Sequence, residues 1–174
     1  MTVPTPCDAR PPAGFSIRKA TNVDIPAIRA VLFAVRDEYG VLCDIGANDV
    51  DLNDLEQNYF QRGGLFEVIE DGGQRIVGCA GLYPLSPQRA ELCKMYLEAC
   101  VRGRGFGKQL LARGLAWARQ NGFAEVWLET NSALTEAIAL YKKHGFERVT
   151  GDQLLQACDQ AYLLRLDGAR PLAC

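Results

Sequence analysis

A glycine-rich turn between an apolar strand pattern and an amphipathic helix pattern constrains this chain more than any other feature of its sequence. The first N–H groups of a helix have no intrahelical partner, and the helix dipole adds about half a positive charge there. Glycines let the backbone approach an anion closely, so the turn predicts a cradle for a diphosphate. Its residues are Arg102, Gly103, Arg104, Gly105, Phe106, Gly107 and Lys108.

Two common phosphate-binding motifs do not fit this turn. The dinucleotide fingerprint GxGxxG would need glycine where Lys108 stands. The P-loop would need glycine at Arg102 and a hydroxyl at Gln109. Arg102, Arg104 and Lys108 could each add a charge-assisted contact to a phosphate. Taken alone, such a Gly-Arg feature is better explained as a solvated, glycine-rich helix start that carries surface arginines.

The apolar periodicity divides the rest of the chain into alternating strands and helices. A Gly-Gly step between two apolar runs predicts a hairpin, and Asn131 or Ser132 is predicted to cap the last helix. We predict one domain at 15–167, a flexible lead at 1–14 and a tail at 168–174. The predicted strands are 15–21, 65–71, 74–85, 89–97, 123–130, 146–150 and 161–166, and the predicted helices are 24–40, 51–62, the segment from the turn to 122, and 132–145.

Composition and charge argue against membrane insertion and nucleic-acid binding. The chain has 174 residues, 48% of them hydrophobic, and no stretch approaches the ~18 to 20 consecutive apolar residues of a membrane span. The formal net charge of -2 argues against DNA or RNA as a partner, because nucleic-acid binding usually shows as a basic patch. The lead lacks the charged start and apolar run of a secretory signal, so we expect a cytoplasmic protein.

The cysteines and the single histidine argue against a metal site. The 7 cysteines are scattered, odd in number and without a CxxC pair, so free thiols are expected. A zinc site would need clustered Cys and His ligands, whereas His144 is the only histidine and its position at a helix end suits the helix dipole. We therefore predict no metal.

Two motifs together resemble the GCN5-related N-acetyltransferase (GNAT) superfamily. Arg102, Gly105 and Gly107 match its pattern of Gln or Arg, any two residues, Gly, any residue, and Gly or Ala. The segment ALYKKHGF at 139–146 resembles its second signature, a helix that ends in Tyr followed by Gly-Phe. The resemblance covers 15–167 and implies an α/β (α+β) GNAT fold. This is a single domain with a mixed, splayed sheet of six to seven strands flanked by about four helices.

The resemblance also implies acetyl-CoA as co-substrate, held in a wedge between the strands 89–97 and 123–130. Main-chain groups of Met95, Tyr96 and Leu97 would contact the pantetheine arm. The amides of Gly103 through Lys108 would hold the diphosphate. The chain departs from the family at Leu134, where many members carry an asparagine that contacts the cofactor, and Asn131 lies close but out of register. The implied cofactor-binding residues are Met95, Tyr96, Leu97, Arg102, Gly103, Arg104, Gly105, Phe106, Gly107 and Lys108.

Two side chains are the implied catalytic residues. An alkylammonium with a pKa near 10.4 is deprotonated only about one part in a thousand at neutral pH, so a base is expected. By resemblance Glu91 takes this role, while Glu129 or a chain of waters is the alternative. Tyr141 matches the tyrosine that protonates the departing CoA thiolate. Without the resemblance, Glu91 would read as a paired strand carboxylate and Tyr141 as a buried helix tyrosine.

The expected function is transfer of an acetyl group from acetyl-CoA to a primary amine by direct attack in a ternary complex. Between Asp37 and Gln61 there are seven acidic residues and no Lys or Arg, which suggests a cationic small-molecule or peptide acceptor. A solvated acidic loop is the alternative explanation of that run. The alternative function is a non-catalytic acyl-CoA-binding regulatory domain, and an unrelated phosphate-binding α/β protein is a third. Family members are often homodimers, and the sequence leaves the oligomeric state open.

Overall fold

A computed structural model of the chain describes residues 14–41, 49–150, 154 and 158–166. In these residues seven strands form one mixed sheet, which confirms the predicted fold class. The strands are β1 (Ser16–Lys19), β2 (Leu65–Glu70), β3 (Ile76–Pro84), β4 (Arg89–Leu97), β5 (Glu125–Thr130), β6 (Glu147–Val149) and β7 (Gln160–Arg165). Their order across the sheet is β1-β2-β3-β4-β5-β7-β6, with β4 and β5 parallel and all other neighbours antiparallel.

Three α-helices lie in the described ranges, namely α1 (Ile25–Glu38), α2 (Phe106–Gln120) and α3 (Thr135–Lys143). Successive side chains of a strand point to opposite faces, so β2 contributes to two apolar cores. Phe66 and Val68 pack in the core that contains the buried residues of α1. Ile69 packs in the core that contains those of α2, together with Tyr141 of α3. The helices therefore cover both faces of the sheet.

The helix predicted at 51–62 is divided into two short helical turns. A 3-10 turn at Val50–Asn53 precedes a π-helical turn at Glu56–Phe60. Asp54 separates them because its backbone is extended and its carboxylate accepts a hydrogen bond from the Gln57 amide at 3.0 Å. The first turn therefore ends before Asp54, and the bond to its carboxylate stabilises the start of the second turn.

The predicted cap of the last helix was wrong. The helix begins at Thr135, and Leu134 occupies the cap position without a side-chain hydrogen bond to the helix. The Asn131 side chain accepts a bond from the Ala133 amide at 3.0 Å, and Ser132 bonds to Asp159 instead. The two polar side chains order the turn before α3 and do not cap it.

The centre of the sheet carries a bulge and a divergence. On β4 two residues, Lys94 and Met95, oppose the single residue Ala80 of β3, and Lys94 has a positive φ of 52°. On the other side, β4 pairs with β5 at three positions that end at Glu91 and its partner Trp127. Both strands are described throughout and continue beyond this point without pairing to each other. The wedge implied by the family resemblance is therefore present.

The predicted lead at 1–14, apart from its last residue, and the tail at 168–174 lie outside the described residues. The domain boundaries therefore stay predictions. None of the helices in the described ranges combines the length and the apolar character needed to cross a membrane.

Gly81 on β3 is a position where a side chain has no room. An added Cβ would lie 2.7 Å from Tyr59 Cε1 and 2.8 Å from Phe66 Cδ2, and both rings are fully buried. We expect Gly81→Ala to lower the free energy of unfolding by roughly 1–3 kcal/mol, because the rings must shift. Urea unfolding measures this. Gly73→Ala, in the open hairpin turn, is the control, and equal midpoints for both variants would contradict the prediction.

Candidate active site

A slot of about 380 Å³ runs along β4 beyond the point where β4 and β5 diverge. The end of α1, the glycine-rich turn and the start of α3 form its other walls. Eight of the predicted cofactor-binding residues line it, and Arg104 and Phe106 do not. The eight are Met95, Tyr96, Leu97, Arg102, Gly103, Gly105, Gly107 and Lys108.

The turn has the backbone that an anion cradle needs. Gly103 and Gly105 have φ values of 73° and 85°, a left-handed conformation that favours glycine. Gly105 is the cap residue of α2, so the N–H groups of the first helical turn point out of the helix without intrahelical acceptors. A Cβ on Gly107 would lie 3.4 Å from Leu140 of α3, so a small residue there lets the two helices approach.

The charged side chains of the turn point in different directions. The Arg102 guanidinium donates to the Leu97 carbonyl at 3.0 Å and to the Tyr39 hydroxyl at 2.7 Å, and it pairs with Glu38. Arg104 is exposed and lies over the ring of Phe15. Arg102 therefore connects the turn to α1 and β4. Lys108 is exposed and lines the slot, and it forms no ion pair with the described residues.

A second, smaller cavity of about 80 Å³ lies between the diverging ends of β4 and β5. Both predicted catalytic residues, Glu91 and Tyr141, line it, and so does the alternative base Glu129. Three residues, Met95, Tyr96 and Leu134, line this cavity and the slot alike. The two spaces therefore share a wall, and Leu134 presents an apolar side chain where many family members carry asparagine.

Glu91 is a buried carboxylate with one tightly bound partner. It is 9% exposed and accepts a hydrogen bond of 2.6 Å from the Tyr83 hydroxyl on β3. Burial raises the pKa of Glu91, and the negative charge of Glu129 acts in the same direction, while the Tyr83 bond opposes both. A carboxylate with a raised pKa is a better proton acceptor, as the predicted role requires.

Tyr141 is 4% exposed and packs against the ring of Phe146. Within the part of the chain that the structure describes, its hydroxyl has no hydrogen-bond partner. Burial is the main cause that raises the pKa of Tyr141, and Tyr96 and Cys93 are the ionisable groups that add to it. The phenol is therefore protonated at neutral pH, with its O–H free to bond to a molecule in the cavity.

A buried ion cluster on the α1 side of the cavity was missed by the sequence analysis. Asp49 accepts two bonds from the Arg36 guanidinium, at 2.5 and 3.0 Å, and one from Lys94 Nζ at 2.7 Å. Lys94 also lies 3.3 Å from Asp51. The two cations lower the pKa of Asp49 to about 2 in spite of burial. Arg36 could have been found, because it follows Leu32 by four residues on the apolar face of α1.

The acidic run between Asp37 and Gln61 is partly neutralised. Asp49 and Asp51 face the cluster cations, Glu38 pairs with Arg102, and Asp54 bonds to Asn22. Asp44 lies outside the described residues. The described part of the run therefore presents a weaker negative field than the sequence suggests, and the nature of the acceptor stays a prediction.

In the described ranges no group of three or more His, Cys, Asp or Glu side chains is arranged to hold a metal ion. Four of the cysteines, Cys79, Cys93, Cys100 and Cys158, are described and all are free thiols.

The fold is that of solved acetyltransferases. A GNAT-family acetyltransferase from Staphylococcus aureus Mu50 has the same fold, with a TM-score of 0.83 and 22% identity over 88% of this chain and 100% of that chain. The putative acetyltransferase yncA from Salmonella typhimurium, whose structure includes its cofactor acetyl-CoA, gives a TM-score of 0.70 and 22% identity over 92% and 99% of the two chains.

The chain belongs to the acetyltransferase (GNAT) family, whose model matches residues 32–146. The uncharacterised N-acetyltransferase YjgM from Escherichia coli (strain K12) is 39% identical to it over 138 residues, which are 76% of this chain and 82% of YjgM. The family resemblance seen in the sequence is confirmed.

Asp49→Asn should lower the free energy of unfolding at pH 7 by about 3–5 kcal/mol, because it leaves two buried cations without their shared carboxylate. The folded pKa of about 2 lies below the ordinary 3.8, so wild-type Asp49 stabilises the protein above pH 4 and loses this effect as pH falls towards 2. The difference in the free energy of unfolding between Asp49→Asn and wild type should therefore become smaller as the pH falls from 4 towards 2.

Urea unfolding at pH 7, 4 and 2.5 measures this gap. The exposed Glu147→Gln on β6 is the control, with an expected change within about 0.5 kcal/mol. An Asp49→Asn variant as stable as wild type at pH 7 would contradict the role given to the cluster.

Proposed function

We propose that the protein transfers an acetyl group from acetyl-CoA to a primary amine by direct attack in a ternary complex. The observation that carries this proposal is the shared wall of the two cavities at Met95, Tyr96 and Leu134. It lets a thioester at the inner end of the slot meet an amine in the smaller cavity. The candidate base and the candidate acid both line that smaller cavity.

The residues present fit coenzyme A. The left-handed glycines leave open space on the side of the turn where a Cβ would stand, since an added Cβ on Gly103 or Gly105 would meet nothing within 4 Å. The amides of the first turn of α2 and the exposed Lys108 would hold the diphosphate. The unpaired edge of β4 at Met95–Leu97 would bond to the pantetheine amides. When bound, acetyl-CoA supplies an acetyl group activated as a thioester.

Glu91 is proposed as the base that takes a proton from the acceptor ammonium. The neutral amine nitrogen can then form the C–N bond. Burial and Glu129 hold the pKa of Glu91 above its ordinary value, which brings it closer to that of its proton donor. Glu129 on β5 is the alternative base.

Tyr141 is proposed as the acid for the departing sulfur. As the C–S bond breaks, the electron pair goes to sulfur and the Tyr141 hydroxyl donates its proton there. The tetrahedral nitrogen loses a second proton to solvent as the amide forms, and the proton held by Glu91 returns to the phenol through solvent. The ammonium thus gives up two protons, of which one ends on the CoA thiol and one in solvent.

The acceptor is proposed to be a cationic amine of a small molecule or a peptide. What supports this is the acidic run that begins at the end of α1, although several of its carboxylates are paired. Thiol release from acetyl-CoA over a panel of cationic, neutral and anionic amines tests both the activity and the preference. Release only with neutral or anionic amines would contradict the cationic acceptor. Saturable CoA binding without amine-dependent release would favour the non-catalytic acyl-CoA-binding domain.

Tyr83→Phe should move the acidic limb of the pH profile of kcat/KM to higher pH. The Tyr83 O–H bond stabilises the ionised form of Glu91, so its loss raises the Glu91 pKa further. The profile is measured for the variant, for the wild type and for Tyr162→Phe, which removes a hydroxyl bonded to Gln160 on β7. If the acidic limb stays in place in Tyr83→Phe and disappears in Glu129→Gln, Glu129 is the base instead of Glu91.

Tyr141→Phe should lower kcat roughly 10- to 10⁴-fold and leave acetyl-CoA binding nearly intact, since only the proton donor is lost. Rapid-quench turnover and calorimetric binding measure the two quantities. Turnover equal to that of wild type would remove Tyr141 from the acid role.

A further inference from the structure

The wall shared by the two cavities contains one side chain that can donate a proton. Of its residues Met95, Tyr96 and Leu134, the first and last offer a thioether and an alkyl group. Tyr96 was predicted to act only through its main chain. Tyr96, however, belongs to the wall where the slot and the smaller cavity meet, and its hydroxyl contacts Arg36, which lines the smaller cavity. A thioester would react at this wall.

The hydroxyl of Tyr96 is held by a buried cation. Arg36 Nε donates a hydrogen bond of 3.2 Å to it, and the guanidinium lies 5.2 Å from the centre of the Tyr96 ring. Two further bonds from the same guanidinium to Asp49 fix Arg36 in turn, and both of these side chains are at least nine-tenths buried. The phenol oxygen is therefore anchored through Arg36 of α1 and, behind it, Asp49 of another segment.

The anchoring leaves the proton of Tyr96 unused. The oxygen accepts from Arg36, so its own O–H can donate, and no acceptor for it exists among the described residues. Burial raises the pKa of Tyr96 and the charge of Arg36 lowers it, with a net increase, so the phenol stays protonated at neutral pH. A fixed O–H donor with a positive charge behind it suits an oxygen that becomes negative during reaction.

We propose that Tyr96 is a further catalytic residue, whose O–H donates a hydrogen bond to the thioester carbonyl oxygen, and that Arg36 and Asp49 are its positioning residues. This inference rests on the proposed acetyl transfer. As the C–N bond forms, the carbonyl π electrons move to oxygen, and Tyr96 stabilises them without losing its proton. They return as the C–S bond breaks, while Tyr141 protonates the sulfur.

The carbonyl stretch of bound acetyl-CoA reports this hydrogen bond without any acceptor. In isotope-edited infrared difference spectra, acetyl-CoA labelled with ¹³C at the carbonyl should show a band at lower wavenumber on wild type than in solution. Tyr96→Phe should return the band towards its solution position, with the dissociation constant for acetyl-CoA within about threefold of wild type. Tyr141→Phe, which acts at sulfur, should leave the band shifted.

Kinetics give a second, independent readout. Tyr96→Phe should lower kcat about 10²- to 10³-fold with little change in KM for acetyl-CoA, as for the loss of one oxyanion donor. Tyr162→Phe, on β7 and outside the residues that line the slot, should match wild type. Arg36→Lys keeps the positive charge but loses the planar guanidinium that bonds to Tyr96 and Asp49. This substitution should lower kcat when Tyr96 is present and lower it little further when it is combined with Tyr96→Phe.

The outcomes separate the two proposals. A shifted band that Tyr96→Phe abolishes, with no amine-dependent thiol release by wild type, would support the Tyr96 contact and overturn the transferase. Acceptor-dependent release with an unchanged band and unchanged kcat in Tyr96→Phe would overturn the Tyr96 role alone. Additive losses in the Arg36→Lys and Tyr96→Phe double variant would remove Arg36 as a positioning residue.

Discussion

The early end of the pairing between β4 and β5 is the constraint on which the rest of the site depends. The closed end is secured by the Arg89–Glu125 ion pair at 2.6 Å and by Arg89 over the ring of Trp127. Beyond it, each strand keeps its outer partner, β3 or β7, so the sheet can open without losing either strand. The opening leaves backbone groups on the inner edges that a ligand or water must satisfy. Both cavities occupy this opening.

The ion cluster around Asp49 holds three charged side chains beside the smaller cavity. One carboxylate accepts bonds from Arg36 and Lys94, which come from α1 and from the bulge of β4. Bringing three charged groups out of water is costly, and only good geometry compensates for it. In exchange, the cluster fixes the relative positions of three segments, because it connects the end of α1, β4 and the segment before the turn at Val50–Asn53. The wall of the cavity is thereby fixed in shape.

The sequence was most informative where the determining interactions are local. The turn, its glycines and the flanking strand and helix follow from patterns within about twenty residues, and they were predicted correctly. The cap of α3 was missed because Ser132 bonds to Asp159, a contact 27 residues apart in sequence. The contact of Arg36 with Tyr96 spans 60 residues and no local pattern specifies it. Cellular location and oligomeric state stay predictions.

The bulge at Lys94 sets the phase of β4. Side chains alternate between the faces of a strand, and one extra residue shifts that alternation for everything downstream. Glu91 lies before the bulge and Tyr96 after it, so the two side chains share one face of the strand only with the inserted residue in place. Loss of one residue from β4 between them would exchange the faces of all later positions at once. The length of this strand is therefore as much a part of the site as the identity of its side chains.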